Sequence, residues 1–181
     1  MRQPRANQFG LYPVGVAVTF AVLLVAGLAS TRGVTAAGPP WRTHLAAIED
    51  ALAAGDVSAA TRAWRNAYGA AFGQGDWDAM LAVGRASLRI GDVAGARAGF
   101  EAKARQCYLA ALFRARHEGS IEGVLRITEA FAELGDQDVV EQGLHIARQV
   151  AGQDREALAR VHELAKRFVR VLAVDTARLE F

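Results

Sequence analysis

The 181-residue sequence predicts an all-α fold. Three observations carry that expectation. Alanine and glycine dominate, proline is scarce, and the Val, Ile, Thr and Tyr runs that favour strands are few. Apolar residues recur at helical spacing through most of the chain after residue 40. The dipeptide Gly-Asp returns in "LAAGDVSAA", "LRIGDVAGA" and "AELGDQDVV", each time between two apolar helical runs.

The first element is apolar. Arg2 and Arg5 precede 26 consecutive uncharged residues that end at Arg32, and from Val14 to Ala29 only Thr19 is polar. A helix from Leu11 to Ser30 would rise about 30 Å, enough to cross a hydrocarbon core. Residues 9–30 are therefore expected to be a retained transmembrane anchor behind a short tail, residues 1–8. Tyr12 falls at the interface that its ring favours, and the two arginines place the tail in the cytoplasm. The rest of the chain would be periplasmic or extracytoplasmic, with the inner membrane as its location. The same arrangement also describes a secretory signal peptide, with "VTAAG" offering cleavage after Ala36. Against cleavage, the apolar core exceeds the usual length of about 7 to 15 residues. Thr31 stands where a lipoprotein would need cysteine. Residues 31–40, small and rich in Gly and Pro, read as a linker, and Pro39 and Pro40 suit a helix beginning just after them.

Residues 41–154 carry the repeated pattern. Counting from Gly55, Gly91 and Gly135, the fifth residue on is Ala60, Ala96 or Val140; the ninth is Trp64, Phe100 or Leu144; the twelfth is Ala67, Lys103 or Ala147. Small, large and small again fall on one helical stripe. Upstream lie "HLAAIEDALAA", "AMLAVGRASLRI" and "GVLRITEAFAEL", so each unit reads as helix, Gly-Asp turn, helix. Gly91 is expected to end a helix in the left-handed conformation, with Asp92 capping the next. Gly95 and Gly99, four apart on that second helix, would either admit a close neighbour or simply be tolerated.

This pattern resembles the tetratricopeptide repeat, a unit of about 34 residues. The middle unit matches best, with Gly84, Gly91, Ala96 and Phe100 in register. The resemblance implies a right-handed solenoid of about three helix pairs, residues 41–74, 77–110 and 121–154. Three departures stand against it: no unit has a closing proline, the third follows a gap of about ten residues, and Lys103 replaces the late alanine. "YLAALFRARHEG" fills the gap, so the middle unit's second helix would run to about Glu118. Other helical-repeat families remain open.

Residues 155–181 begin with "REALARVHELAKRFVRVL", which sets Leu158, Val161, Ala165, Phe168 and Leu172 at helical spacing. That is an amphipathic cap for the last unit, or, since its polar face is basic, a membrane-surface helix.

Charge and chemistry bound the function. Without Arg2, Arg5 and Arg32, 18 basic side chains stand against 19 acidic ones, no footprint for nucleic acid. Cys107 alone builds neither a disulfide framework nor a cysteine zinc site and reads as a buried apolar residue, with a reactive thiol as the alternative. Glu141 and His145 are four apart and read as a surface pair before a metal site. No nucleophile elbow or phosphate loop is present, so no cofactor is expected. An enzyme would need residues gathered in space, such as Arg116, His117 and Glu118.

Residues 85–116 hold seven basic and two acidic side chains; residues 118–141 hold seven acidic and one basic. Either these blocks face each other or water, or Arg89, Arg105 and Arg114 line a groove for an acidic peptide. Trp77 reads as packing, or as an anchor for a partner. The resemblance to anchored tetratricopeptide proteins implies a non-catalytic scaffold or adaptor in bacterial envelope-complex assembly or secretion. Its partners would be proteins, and self-association is possible. The alternative is a cleaved, soluble periplasmic or secreted binding module.

Overall fold

The structure, a computed structural model, describes residues 38–179, with side chains as far as Phe168. Among the described residues are seven α-helices and no strand: α1 (Pro40–Ala53), α2 (Val57–Gln74), α3 (Trp77–Ala94), α4 (Arg97–His117), α5 (Ile121–Glu133), α6 (Gln137–Ala151) and α7 (Arg155–Leu179). The expected span at 9–30 lies outside these residues. None of the described helices is long and apolar enough to cross a membrane.

The helices begin where the sequence supplies caps. Pro40 opens α1, where its missing N–H costs nothing. Asp56 accepts from the Ala59 N–H at 2.7 Å and Ser120 from the Gly123 N–H at 3.1 Å. They end in a common way. Each of the six connections holds one glycine at positive φ: Gly55, Gly75, Gly95, Gly119, Gly135 and Gly152.

The middle turn corrects the expectation for Gly91. The helix continues through Gly91 and Asp92 to Ala94, and Gly95 takes the left-handed turn at φ 63°. The Ala96 N–H then bonds the Gly91 carbonyl at 3.0 Å, closing a Schellman turn. Gly91 is instead the packing glycine. A Cβ there would stand 2.8 Å from the Phe100 Cβ and 3.2 Å from the Arg97 Cα. Gly99 faces open space, the tolerated alternative of the two readings and not the close approach. Two glycines four residues apart were both able to turn the chain, and the one that α4 packs against stayed helical. Asp92 pairs with Arg97, and Ala96 occupies the N-cap without a side-chain bond.

Among the described residues, helices pack only on chain neighbours or on the helix next but one. Thus α1, α3, α5 and α7 form a row, each packed on the next. α2 packs on α1 and α3, α4 on α3, α5 and α6, and α6 on α4, α5 and α7. Small residues set the spacing. Ala60, Ala67, Ala79, Ala86, Ala111 and Ala130 are fully buried, and between them sit Ile48, Met80, Tyr108, Ile127 and Phe131. Burying each large side chain contributes roughly 1.5–3 kcal/mol. On α7 the buried stripe is Ala157, Val161 and Leu164, whereas Leu158 is exposed. Ala165 and Phe168 pack against the core as expected, so of the expected residues with described side chains only Leu158 departs, its place taken by Ala157 and Leu164 on the side that meets α5 and α6.

Candidate interaction surface

Most of the repeat-defining residues are structural. Gly55 and Gly135 turn the chain, Ala60 and Ala147 are fully buried, and Leu144 is nearly so. Trp64, on α2, donates its indole N–H to the Val83 carbonyl of α3 at 3.0 Å and so ties the first pair to the second. Gly84 holds one of the tightest approaches: a Cβ there would meet the Tyr108 ring at 2.4 Å, and one at Gly143 would meet the Thr128 hydroxyl at 2.3 Å. Phe100 is half-buried over Gly91, while Ala96 is exposed.

The four residues proposed for a partner all have intramolecular contacts. Arg89 pairs with Glu49 of α1. Arg105 makes a bidentate bond to Asp136, at 2.7 and 3.0 Å, and reaches Glu101 at 3.6 Å. Its guanidinium pKa is raised chiefly by the Asp136 bond. Arg114 donates to the Ala71 and Phe72 carbonyls at 3.1 and 2.9 Å, satisfying the end of α2 where the helix dipole is negative. Trp77 is half-buried beneath Arg126 and against Gly123, where a Cβ would come within 2.8 Å of its ring. The arginine-rich block thus serves the joints between helices, and its acidic counterpart is partly Asp136.

A surface that the sequence reading did not single out runs along α1, α3, α5 and α7. Glu49 of α1 pairs with Arg89 of α3; Asp78 of α3 pairs with Arg126 of α5 at 3.3 Å; Glu129 of α5 pairs with Arg167 of α7. One face of all four helices is linked by ion pairs, each exposed and contributing on the order of 0.2–1 kcal/mol. Between α5 and α7 this face opens into a groove of about 480 Å³, with Leu125, Ala159 and Leu164 among its floor residues. Glu122, Arg126 and Glu129 stand on one wall, and Glu156, Arg160 and Arg167 on the other. The signal was available: on each helix these residues recur at three- and four-residue steps with alternating sign.

Beneath the same row, Tyr108 passes between α3 and α5. It is fully buried, edge-on to Phe131 at 5.6 Å, and its hydroxyl lacks a hydrogen-bond acceptor or donor within bonding geometry. Burial pushes that hydroxyl up to about 12, with the nearby Arg85 charge acting against the shift. Burial likewise pushes the Cys107 thiol up to about 12, so it stays protonated and unreactive at neutral pH.

Arg116, His117 and Glu118 are all exposed at the end of α4, and the His117 ring stacks on Phe113 at 6.5 Å. His145 meets Gln149 at 3.0 Å. Among the described residues no three His, Cys, Asp or Glu side chains gather as a metal site. Comparison with protein-family models, curated proteins and solved structures finds no match to this chain.

Proposed function

We propose that the chain is a membrane-anchored, non-catalytic scaffold built from tetratricopeptide-like helix pairs, and that it receives a protein partner on the face formed by α1, α3, α5 and α7. One observation carries the reading: helices pack only with their chain neighbours and next-but-one neighbours, leaving one continuous charged face with an open groove. Nearest-neighbour stacking is how helical repeats build extended binding surfaces without catalytic groups. The pairs cover 40–74, 77–117 and 121–151, and α7 packs on the last of them. The mixed signs along the groove suit a partner segment of alternating charge, such as an amphipathic helix, rather than a purely acidic peptide.

The apolar residues before Arg32 supply the anchor, and a tether concentrates partners at the membrane. The possible cleavage point after Ala36 supports a second reading, a secreted or periplasmic soluble module. Intact-mass measurement of the protein purified from bacterial membranes, after alkaline carbonate extraction, separates the two. Retention of residues 1–37 in a carbonate-resistant fraction is the expected result; a mature start near Ala37 refutes the anchor. Charge reversal of Arg160 and Glu156 together should then weaken partner capture at least tenfold while leaving the helical signal unchanged. Unaltered capture refutes the groove.

A further inference from the structure

Most of these helices turn their large apolar residues one way, but α4 turns them two ways. Ala104, Cys107, Tyr108, Ala111 and Ala115 form its buried stripe. Leu109 and Phe113, four apart, stand on the opposite side, 52% and 74% exposed. On α2, Phe72 is 57% exposed beneath the Arg114 guanidinium, 5.2 Å from its ring, and Tyr68 stacks behind it. α2 packs on α1 and α3, and α4 on α3, α5 and α6, so the outward stripes of both point away from that row, with α6 beside α4.

Charge also sets α2 and α4 apart from α1, α3 and α5, while α7 carries six basic and three acidic residues. α2 and α4 carry seven Lys and Arg residues and a single acidic one, Glu101, which is itself paired with Arg97 and Arg105. α1, α3 and α5 carry four basic and seven acidic residues. Arg62, Arg65 and Arg116, exposed on α2 or α4, have no acidic partner among the described residues; Arg42, Arg148, Arg155 and Arg160, on other helices, lack one as well, but only on α2 and α4 do such arginines accompany exposed Phe side chains. Exposed Phe and Leu set among unpaired arginines describe a surface for the headgroup region of a bilayer: the apolar groups enter the acyl boundary and the guanidinium groups meet phosphates. The anchored reading supplies proximity. From Arg32 to the start of α1 at Pro40 the linker reaches at most about 30 Å.

We propose that the outward face of α2 and α4 docks on an anionic lipid surface. The proposal rests on the anchored reading for its tether, while the face itself is an independent observation. It leaves the charged row of α1, α3, α5 and α7 for the protein partner.

The test uses the full chain reconstituted in vesicles of either neutral phosphatidylcholine or the same lipid with 30 mol% phosphatidylglycerol (about one lipid in three). Gln106→Cys, exposed on α4, takes an environment-sensitive fluorophore; native Cys107 is buried and stays unlabelled. Gln153→Cys, in the turn before α7, is the control. The expected result is a blue-shifted, brighter label at 106 on anionic vesicles only, reversed by about 0.5 M salt, with the label at 153 unchanged. Replacing Arg62, Arg65 and Arg116 together by Glu should lower the docked-to-free ratio about a hundredfold, at about fivefold for each arginine. A label at 106 that stays in water, responds equally to neutral vesicles, or moves together with 153 overturns the proposal. So does a response without vesicles, either rising with protein concentration, which means a second copy, or driven by duplex DNA. Carbonate extraction of the same vesicles reads the anchor separately. A chain extracted by carbonate whose 106 label still responds to anionic lipid keeps the docking face and loses the anchor; a retained chain with a silent label does the reverse.

Discussion

Adding one methyl group at Gly84, Gly91 or Gly99 should change stability in opposite directions. In a helix interior, Gly→Ala ordinarily stabilises by about 0.5–1 kcal/mol, because alanine has the better propensity and less backbone freedom to lose. Gly99→Ala, in the first turn of α4, should show the lower end of that gain, since no atom outside its own helix backbone and chain neighbours lies within 4 Å of the added Cβ. At Gly84 the Cβ would lie 2.4 and 2.7 Å from Tyr108 ring carbons and 3.1 Å from the Cys107 Cβ. Tyr108 is fully buried and held edge-on by Phe131, so α3 and α4 must separate. Overpacking of this kind costs about 1–3 kcal/mol. Gly91→Ala faces the Phe100 Cβ at 2.8 Å and the Arg97 backbone at 3.2 Å, neither of which a side-chain rotation relieves. The net change should be a loss of about 1–2 kcal/mol at Gly84 and Gly91 against a gain of about 0.5 kcal/mol at Gly99. Urea unfolding of the full chain in a mild detergent, followed by helical circular dichroism, reads all three. Stabilisation by Gly91→Ala together with destabilisation by Gly99→Ala would refute the assignment of packing and open positions.

Three further outcomes follow from the same contacts. Cys107 and Tyr108 both have folded pKa values raised by burial, so the folded state keeps protons that the unfolded state releases. Their contribution is complete below about pH 9 and is lost as pH rises toward 12, with a slope of up to about 1.4 kcal/mol per pH unit for each group. Denaturation midpoints should therefore fall above pH 9, and Cys107→Ala should flatten the first part of that decline; a flat profile to pH 11 contradicts it. Trp64→Phe removes the indole donor that the Val83 carbonyl accepts besides its own helix bond, and should cost about 0.5–1.5 kcal/mol in urea unfolding. Arg114→Ala exposes the α2 carbonyls of Ala71 and Phe72 and should cost about 1 kcal/mol. Faster hydrogen exchange confined to the end of α2 and the turn after it is the accompanying sign, and its absence contradicts the capping role.

The element types were legible because periodicity and punctuation agree. "GDVSAA" and "GDQDVV" each set a turn glycine before an acidic N-cap position, and the helices begin there. The middle unit misled because "GDVAG" holds two glycines able to turn the chain. Local preference does not rank them, whereas contact with Phe100 does. The arginines left two readings open, and the pairing of Arg105 with Asp136 belongs to the one in which the blocks face each other. A basic run followed by an acidic run is visible in one dimension, but that Arg105 reaches Asp136 and Arg114 reaches the end of α2 depends on which helices lie side by side. The charged face on α5 and α7 was written at helical spacing, and only the pairing of Glu129 with Arg167 shows that the two stripes meet. The exposure of Leu109 and Phe113 was not legible in "YLAALFRARHEG", since which side of α4 meets solvent is decided by α3 and α5.

The account stands or falls on whether the groove between α5 and α7 meets a protein. A photo-crosslinking residue placed at Arg160 in the full chain, and separately at Gln142 on α6, followed by illumination in cells, detergent extraction and mass spectrometry, reads that directly. The account predicts a single stoichiometric protein adduct from position 160, recovered in the membrane fraction and absent from position 142. Adducts only with the chain itself, or the same adducts from both positions, would contradict it.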